Sequence, residues 1–161
     1  MGLQLHGTLT RVRPATVENA ELLVAWHADP EVARYWDGET FTREEMVSRL
    51  SRRDVDSFIV EAADEPVGYI QAWWEEGSPD QGGIDMFLVP KARGHGLGPD
   101  AARALVSHLR EDRGWTRVTV DPYEWNGSAI RAWLKAGFVE TERRPADLEH
   151  AAPWVLMVWE G

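Results

Sequence analysis

Residues Ile84 to Pro90, IDMFLVP, form a mostly apolar run that stops at a proline and passes within three residues into RGHGLGPD, Arg93 to Asp100. A short apolar run bounded by breakers predicts a buried strand. Pro99 suits the first turn of a helix. Ala101, Ala102, Leu105, Val106 and Leu109 then share one helix face, Gly114 closes it, and WTRVTVD, Trp115 to Asp121, reads as a further strand. Two strands flanking a helix of crossover length predict parallel neighbours in one sheet. The glycine-rich turn therefore lies at a strand's end and a helix's start. Gly94, Gly96 and Gly98 strip side chains from that turn, and exposed N–H groups at a helix start attract an anion.

The rest of the chain surrounds this unit. TLTRVRPA (Thr8–Ala15) alternates as a first strand. Thr16 caps a helical segment that Pro30 stops, EVARYW is a second short helical piece, and Thr42 with Glu45 forms a capping box for TREEMVSRL. SFIVEAA (Ser57–Ala63) and VGYIQAWW (Val67–Trp74) form a hairpin across Asp64–Pro66, after which GSPDQGG is expected to break the chain. Asn126 caps a helix with Ala129, Ile130, Trp133 and Leu134 on one side and Gly137 at its end. FVETER and PWVLMVWE are the last strands. The order predicts an α/β (α+β) fold: a central mixed, mostly antiparallel sheet with one parallel strand pair and helices on both faces. A length of 161 residues without repeats or a low-complexity linker fits a single domain over 1–161.

Charge is unevenly distributed in a chain of formal net charge −10. Between Arg53 and Lys91 there are nine Asp or Glu residues and no Lys or Arg. This stretch is either a solvated face or the lining of a cavity for a cation. Nucleic acid is an unsuitable partner, because phosphate binding needs a basic footprint. The absence of cysteine leaves no disulfide and no thiolate metal site, and no metal is expected. Apolar runs are too short to span a bilayer. MGLQLHGTLTRVRP lacks the basic and apolar regions of a signal peptide, so a cytoplasmic protein is expected. Most of the nine tryptophans are expected in packing, with a few beside acids available as walls of a cation site.

Several anion sites use glycines, and a plain structural turn uses them too. A Walker loop requires Lys-Ser or Lys-Thr after its last glycine, where Pro99-Asp100 stands here. A dinucleotide fingerprint opens the first strand–helix unit of a doubly wound sheet, whereas this loop lies past the middle of the chain. VPKARGHGLG, followed by NGSAIRAWLKAGF, resembles the GNAT superfamily of acyl-CoA-dependent N-acetyltransferases. The resemblance rests on Val-Pro at a strand end, an Arg-x-x-Gly-x-Gly-type loop, Asn126 with Ala129, and Lys135 with Gly137 and Phe138. It implies acetyl-CoA as donor. The amides of Arg93, Gly94, His95, Gly96, Leu97 and Gly98 would hold the pyrophosphate, with the His95 side chain facing solvent. Phe87, Leu88 and Val89 would hydrogen-bond the pantetheine arm, and Asn126, Ala129, Trp133 and Lys135 would line its other side.

ARYWDGETFTREEM, PVGYIQAWW, GGIDMFLV and VTVDPYEWNGSAIR further resemble the aminoglycoside 6'-N-acetyltransferases. That likeness implies a polycationic small-molecule amine as acceptor, consistent with the acid-rich stretch. Asp85 and Asp121 are the expected catalytic residues. Asp85 is expected to share a strand face with Phe87 and Val89. Asp121 ends the neighbouring parallel strand, where open α/β sheets place ligands, although Asp before Pro122 also serves turns. A carboxylate can attract a protonated amine and then help deprotonate it. Trp36, Asp37, Trp74, Glu75 and Glu76 are further substrate-binding candidates. The family's Tyr in the helix after Asn126 is replaced here by Trp133, whose indole does not titrate. Tyr123 could substitute as general acid. A GNAT enzyme for another amine, or a non-catalytic acyl-CoA-binding module, fits the same motifs. A monomer and a homodimer are both compatible with the sequence.

Overall fold

The structure is a computed structural model that describes residues 3–161; Met1 and Gly2, part of the N-terminal stretch read above, lie outside the described residues. The elements run β1 (Leu5–His6), β2 (Arg11–Pro14), α1 (Ala20–Ala28), α2 (Pro30–Ala33), α3 (Arg43–Leu50), β3 (Val55–Ala62), β4 (Glu65–Glu75), β5 (Ser78–Leu88), α4 (Leu97–Ser107), β6 (Arg117–Val120), α5 (Gly127–Ala136), β7 (Phe138–Arg144) and β8 (Trp154–Trp159).

These strands form one sheet in the order β1-β2-β3-β4-β5-β6-β8-β7. Neighbours are antiparallel except β5 and β6, which pair in parallel at Gln81↔Arg117, Gly82↔Val118 and Gly83↔Thr119. The expected mixed sheet with one parallel pair is therefore present. Pairing between β5 and β6 stops at Gly83, so the two strands part and the β6 side of Ile84–Leu88 is left open. That opening creates the site described below.

Alternation along the strands sends side chains to opposite faces. Phe58, Val60, Ile70, Ala72 and Ile84 pack with Ala101, Leu105 and Trp133 of α4 and α5. Ile59, Tyr69 and Phe87 pack instead with Leu23, Val32 and Met46 of α1 to α3. Helices thus cover both faces. The capping box expected at Thr42 and Glu45 is formed. Gly137 ends α5 in the left-handed conformation, at φ 111°.

Two expectations need correction. The first strand does not begin at Thr8: the amides of Thr8, Leu9 and Thr10 donate to the buried Asp100 carboxylate at 2.9, 3.0 and 2.9 Å, so this stretch is a turn between β1 and β2. GSPDQGG does not interrupt the sheet either, because Ser78–Gly83 is the first half of β5. Its glycines admit the neighbouring strand's tryptophan. A Cβ at Gly83 would lie 2.4 Å from the Trp73 indole, and one at Gly82 would lie 1.9 Å from the Trp73 carbonyl oxygen.

Candidate active site

The opening between β5 and β6 is a groove with two ends. At one end its walls include Met86, Phe87 and Leu88 of β5, Gly94, Gly96, Leu97 and Gly98 of the glycine turn, and Asn126, Ala129, Trp133 and Lys135 around α5. Gly94 and Gly96 take φ of 80° and 77°, left-handed geometry that glycine adopts without strain. The first amides of α4, at Leu97 and Gly98, have no intrahelical partner by helix geometry. Arg131 and Lys135 add positive charge to the same wall. Bare amides, a helix start and two cations suit the phosphates of a coenzyme A ester, and the open strand edge suits its amide-bearing arm. These residues fit acetyl-CoA.

Arg93, beside them, is committed within the protein. Its Nε donates to the Leu88 carbonyl at 3.1 Å, its Nη2 donates to the Glu31 carbonyl at 2.7 Å, and its guanidinium lies 5.1 Å from the Tyr35 ring centre. It braces the turn between β5 and α2. His95 points its side chain to solvent, as expected. Val89 departs from expectation. Its amide donates to Val67 and its carbonyl accepts from Ala92, and its side chain packs in the α4 and α5 core rather than sharing a face with Asp85.

At the other end the groove becomes acidic. Asp37, Glu39, Asp85, Asp121 and Glu149 line a cavity in which Arg49 and His150 are the basic residues. Tyr35, Met86, Asn126, Ala129 and Trp133 line both ends, so the cation-suited cavity and the anion-suited groove meet at β5 and α5.

Asp85 lies where that happens. It is partly open to the cavity and sits opposite Gln71 in the β4–β5 register. Gln71 Nε2 donates to its Oδ2 at 3.0 Å, Tyr69 donates to Gln71 Oε1 at 2.8 Å, and Ser57 Oγ lies 2.7 Å from the Tyr69 hydroxyl. Burial, with a further push from the nearby Asp121 charge, raises the Asp85 pKa to about 7. A carboxyl poised there can take a proton and release it near neutral pH.

Asp121 follows β6 directly and accepts from His150 Nε2 at 2.7 Å. Asp37 sits in an uncommon left-handed conformation (φ 55°) beside Gly38, and accepts from the Tyr123 hydroxyl at 2.5 Å. Burial and that bond push the Tyr123 pKa up to about 12, so the phenol stays protonated with its hydrogen directed at Asp37. Trp36 is largely core: its ring meets Tyr69 at 5.8 Å and Phe87 at 5.5 Å, with part of its surface on the cavity.

Three expected substrate contacts lie elsewhere. Trp74 packs edge-on against Trp115 at 6.2 Å and under the Arg113 guanidinium at 4.9 Å. It belongs to the α4 and α5 face, opposite to that of Asp85. Glu75 borders a separate hollow with Trp73 and Arg117, and Glu76 is an exposed turn residue. Glu75 and Glu76 lie four and five residues beyond Gln71, well over 10 Å along a strand that rises about 3.3 Å per residue. Sequence reasoning also missed Gln71, Arg49, Glu149 and His150. Gln71 was accessible, as a polar residue on the Tyr69 face. His150 lies in an irregular loop with no periodicity to announce it.

Comparison with known proteins agrees with this geometry. Residues 10–139 match the acetyltransferase (GNAT) domain. An aminoglycoside N(6')-acetyltransferase type 1 of Klebsiella pneumoniae is 32% identical, over 91% of this chain and 81% of its own length. The solved structure of the aminoglycoside acetyltransferase AAC(6')-Ib with coenzyme A and kanamycin superposes at TM-score 0.80 with 30% identity, covering 92% of this chain and 93% of that one. A spermidine N-acetyltransferase of Vibrio cholerae, at 12% identity and TM-score 0.82 over 94% of this chain and 95% of its own, shares the fold. With most of its length matched and its groove formed where β5 and β6 part, the chain belongs to the GNAT acetyltransferase family.

Proposed function

We propose that this chain is an acetyl-CoA-dependent N-acetyltransferase acting on an amine of a polycationic aminoglycoside, the 6' amine by likeness to its relatives, with 1–161 working as one catalytic domain in the cytoplasm. Its biological effect would be antibiotic resistance, as in the 41% identical kanamycin resistance protein of Rhizobium radiobacter, which matches 53% of this chain. The observation that carries the reading is the meeting of an anion-suited groove with a five-acid cavity at shared residues. Acetyl-CoA would supply the activated acetyl group: the acceptor amine would attack the thioester carbonyl directly, the new C–N bond would replace the C–S bond, and coenzyme A would leave as a thiolate that takes a proton from water.

The chain's own contribution is charge and placement. Asp37, Asp121 and Glu149 draw the cationic acceptor into the cavity. Asp85, tethered by Gln71, orients the reacting amine and takes its proton. The backbone edge of Met86–Leu88 and the α5 wall hold the donor arm in line, so that positioning supplies much of the barrier reduction. Trp133 closes the wall as an apolar surface and does not titrate. Incubation with acetyl-CoA and a panel of amines, following free thiol, tests this. Rapid thiol release with kanamycin and little with spermidine or an N-terminal peptide is expected. Release with a peptide alone would reassign the acceptor, and none with any amine would leave an acyl-CoA-binding module.

A further inference from the structure

The loop between β7 and β8 brings one histidine into the acidic cavity on a fixed mount. His150 Nε2 lies 2.7 Å from Asp121 Oδ2, and its Nδ1 lies 2.9 Å from Asp147 Oδ1. Its ring stacks on Trp154 at 4.1 Å with a 13° tilt. Trp154 Nε1 in turn donates to Asp147 Oδ2 at 3.0 Å, and the amides of Glu149 and His150 donate to Asp147 Oδ1. Asp147 is therefore locked in place, and the Asp121 carboxylate is held through its Oδ2 by the imidazole.

We infer that His150 is a positioning residue: as an imidazolium bridging Asp121 and Asp147, it holds the Asp121 carboxylate toward the acceptor amine. The inference rests on the acceptor reading above. Carboxylates only accept hydrogen bonds, so the bridge requires both ring nitrogens to donate. A neutral imidazole has one N–H and can serve only one of its two partners. Burial opposes the charge on His150, but the bonds to Asp121 and Asp147 outweigh it and raise its pKa above the ordinary histidine value. The other groups facing it are the Tyr123 ring at 6.2 Å and Glu149 on the cavity wall. Asp37 lies beyond Tyr123, and the Arg144 guanidinium lies 5.3 Å from the Trp154 ring. Most nearby charge is negative, which favours the cation.

Asp147 is absent from the cavity wall, which separates charge from contact. Asp147→Asn keeps an acceptor oxygen for the loop but removes the charge supporting the imidazolium. The pH dependence of kcat/KM for kanamycin is expected to show an alkaline limb from His150 in the wild type. In Asp147→Asn that limb is expected about 1 pH unit lower, with acetyl-CoA affinity unchanged. His150→Gln is expected to lose the limb and about 10- to 150-fold in kcat/KM. NMR titration of the histidine ring nitrogens follows His150 directly in the wild type and Asp147→Asn, and stands even if His150→Gln misfolds. A raised His150 pKa that falls in Asp147→Asn supports the bridge. A His150 that titrates as an ordinary histidine in both proteins, or an alkaline limb that does not move, overturns it. If the wild type released no thiol with kanamycin, the acceptor reading would fail, while the ring titration would still decide the charge of His150.

Discussion

Asp85→Asn is expected to cost activity and add stability, and the two effects should separate with pH. Burial lifts the Asp85 pKa from an ordinary value of 3.8 to about 7. Between those values the folded protein holds a proton that the unfolded chain has released, so stability falls as pH rises through that window and levels off above it. The difference is worth at most about 4 kcal/mol, and water reaching the carboxyl from the cavity reduces it to about 1–3 kcal/mol. Asparagine has no proton to lose and still offers an oxygen to Gln71 Nε2. The variant should therefore match the wild type near pH 4 and exceed it by about 1–3 kcal/mol at pH 8. Urea unfolding at the two pH values measures this. In the same protein, acceptor kcat/KM at pH 8 should fall about 10- to 150-fold, the cost of one charge-assisted contact, with acetyl-CoA affinity unchanged. Wild-type activity should rise with pH through about 7 as Asp85 ionises. A variant equally destabilised at both pH values, or one retaining full acetyl transfer, would refute the argument.

Gly96→Val forces a branched residue to φ 77°, which costs about 1–2 kcal/mol and distorts the turn whose amides face the anion; calorimetry on the folded variant should show weakened acetyl-CoA binding. Raising salt toward 1 M shortens the screening length to about 3 Å, so KM for a polycationic acceptor should climb, and steady-state kinetics showing no change would argue against electrostatic capture. Asp100→Ala removes the acceptor of the Thr8, Leu9 and Thr10 amides and the Thr10 hydroxyl, and denaturant unfolding should register a loss of about 2–4 kcal/mol.

The strand–glycine–helix unit was legible because breakers and periodicity agree there: Pro90, Pro99 and Gly114 bound elements whose apolar residues repeat correctly. The β3–β4 hairpin was equally plain, although its turn falls at Ala63–Asp64 rather than Asp64–Pro66, because Glu65 and Pro66 already pair with Ala62 and Glu61. Ser78–Gly83 was not, because glycines that signal a break in isolation here make room for Trp73 across the strand. Asp85 and Asp121, which line the cavity, could be singled out from their strands, and Asp37 from the resemblance carried by ARYWDGETFTREEM. Trp74 failed because proximity in sequence to an acidic stretch says nothing about strand face, and a one-residue step from Trp73 reverses the side chain. His150 carries no local signal. Its role depends on a loop that returns 29 residues later to Asp121.

A single turnover with acetyl-CoA and kanamycin, followed by mass spectrometry of both antibiotic and protein, tests direct transfer across the meeting point of groove and cavity. Kanamycin heavier by one acetyl group, carried on its 6' amine, with the protein never acetylated, is the expected result. An acetylated protein, or free coenzyme A beside unmodified kanamycin, would contradict it.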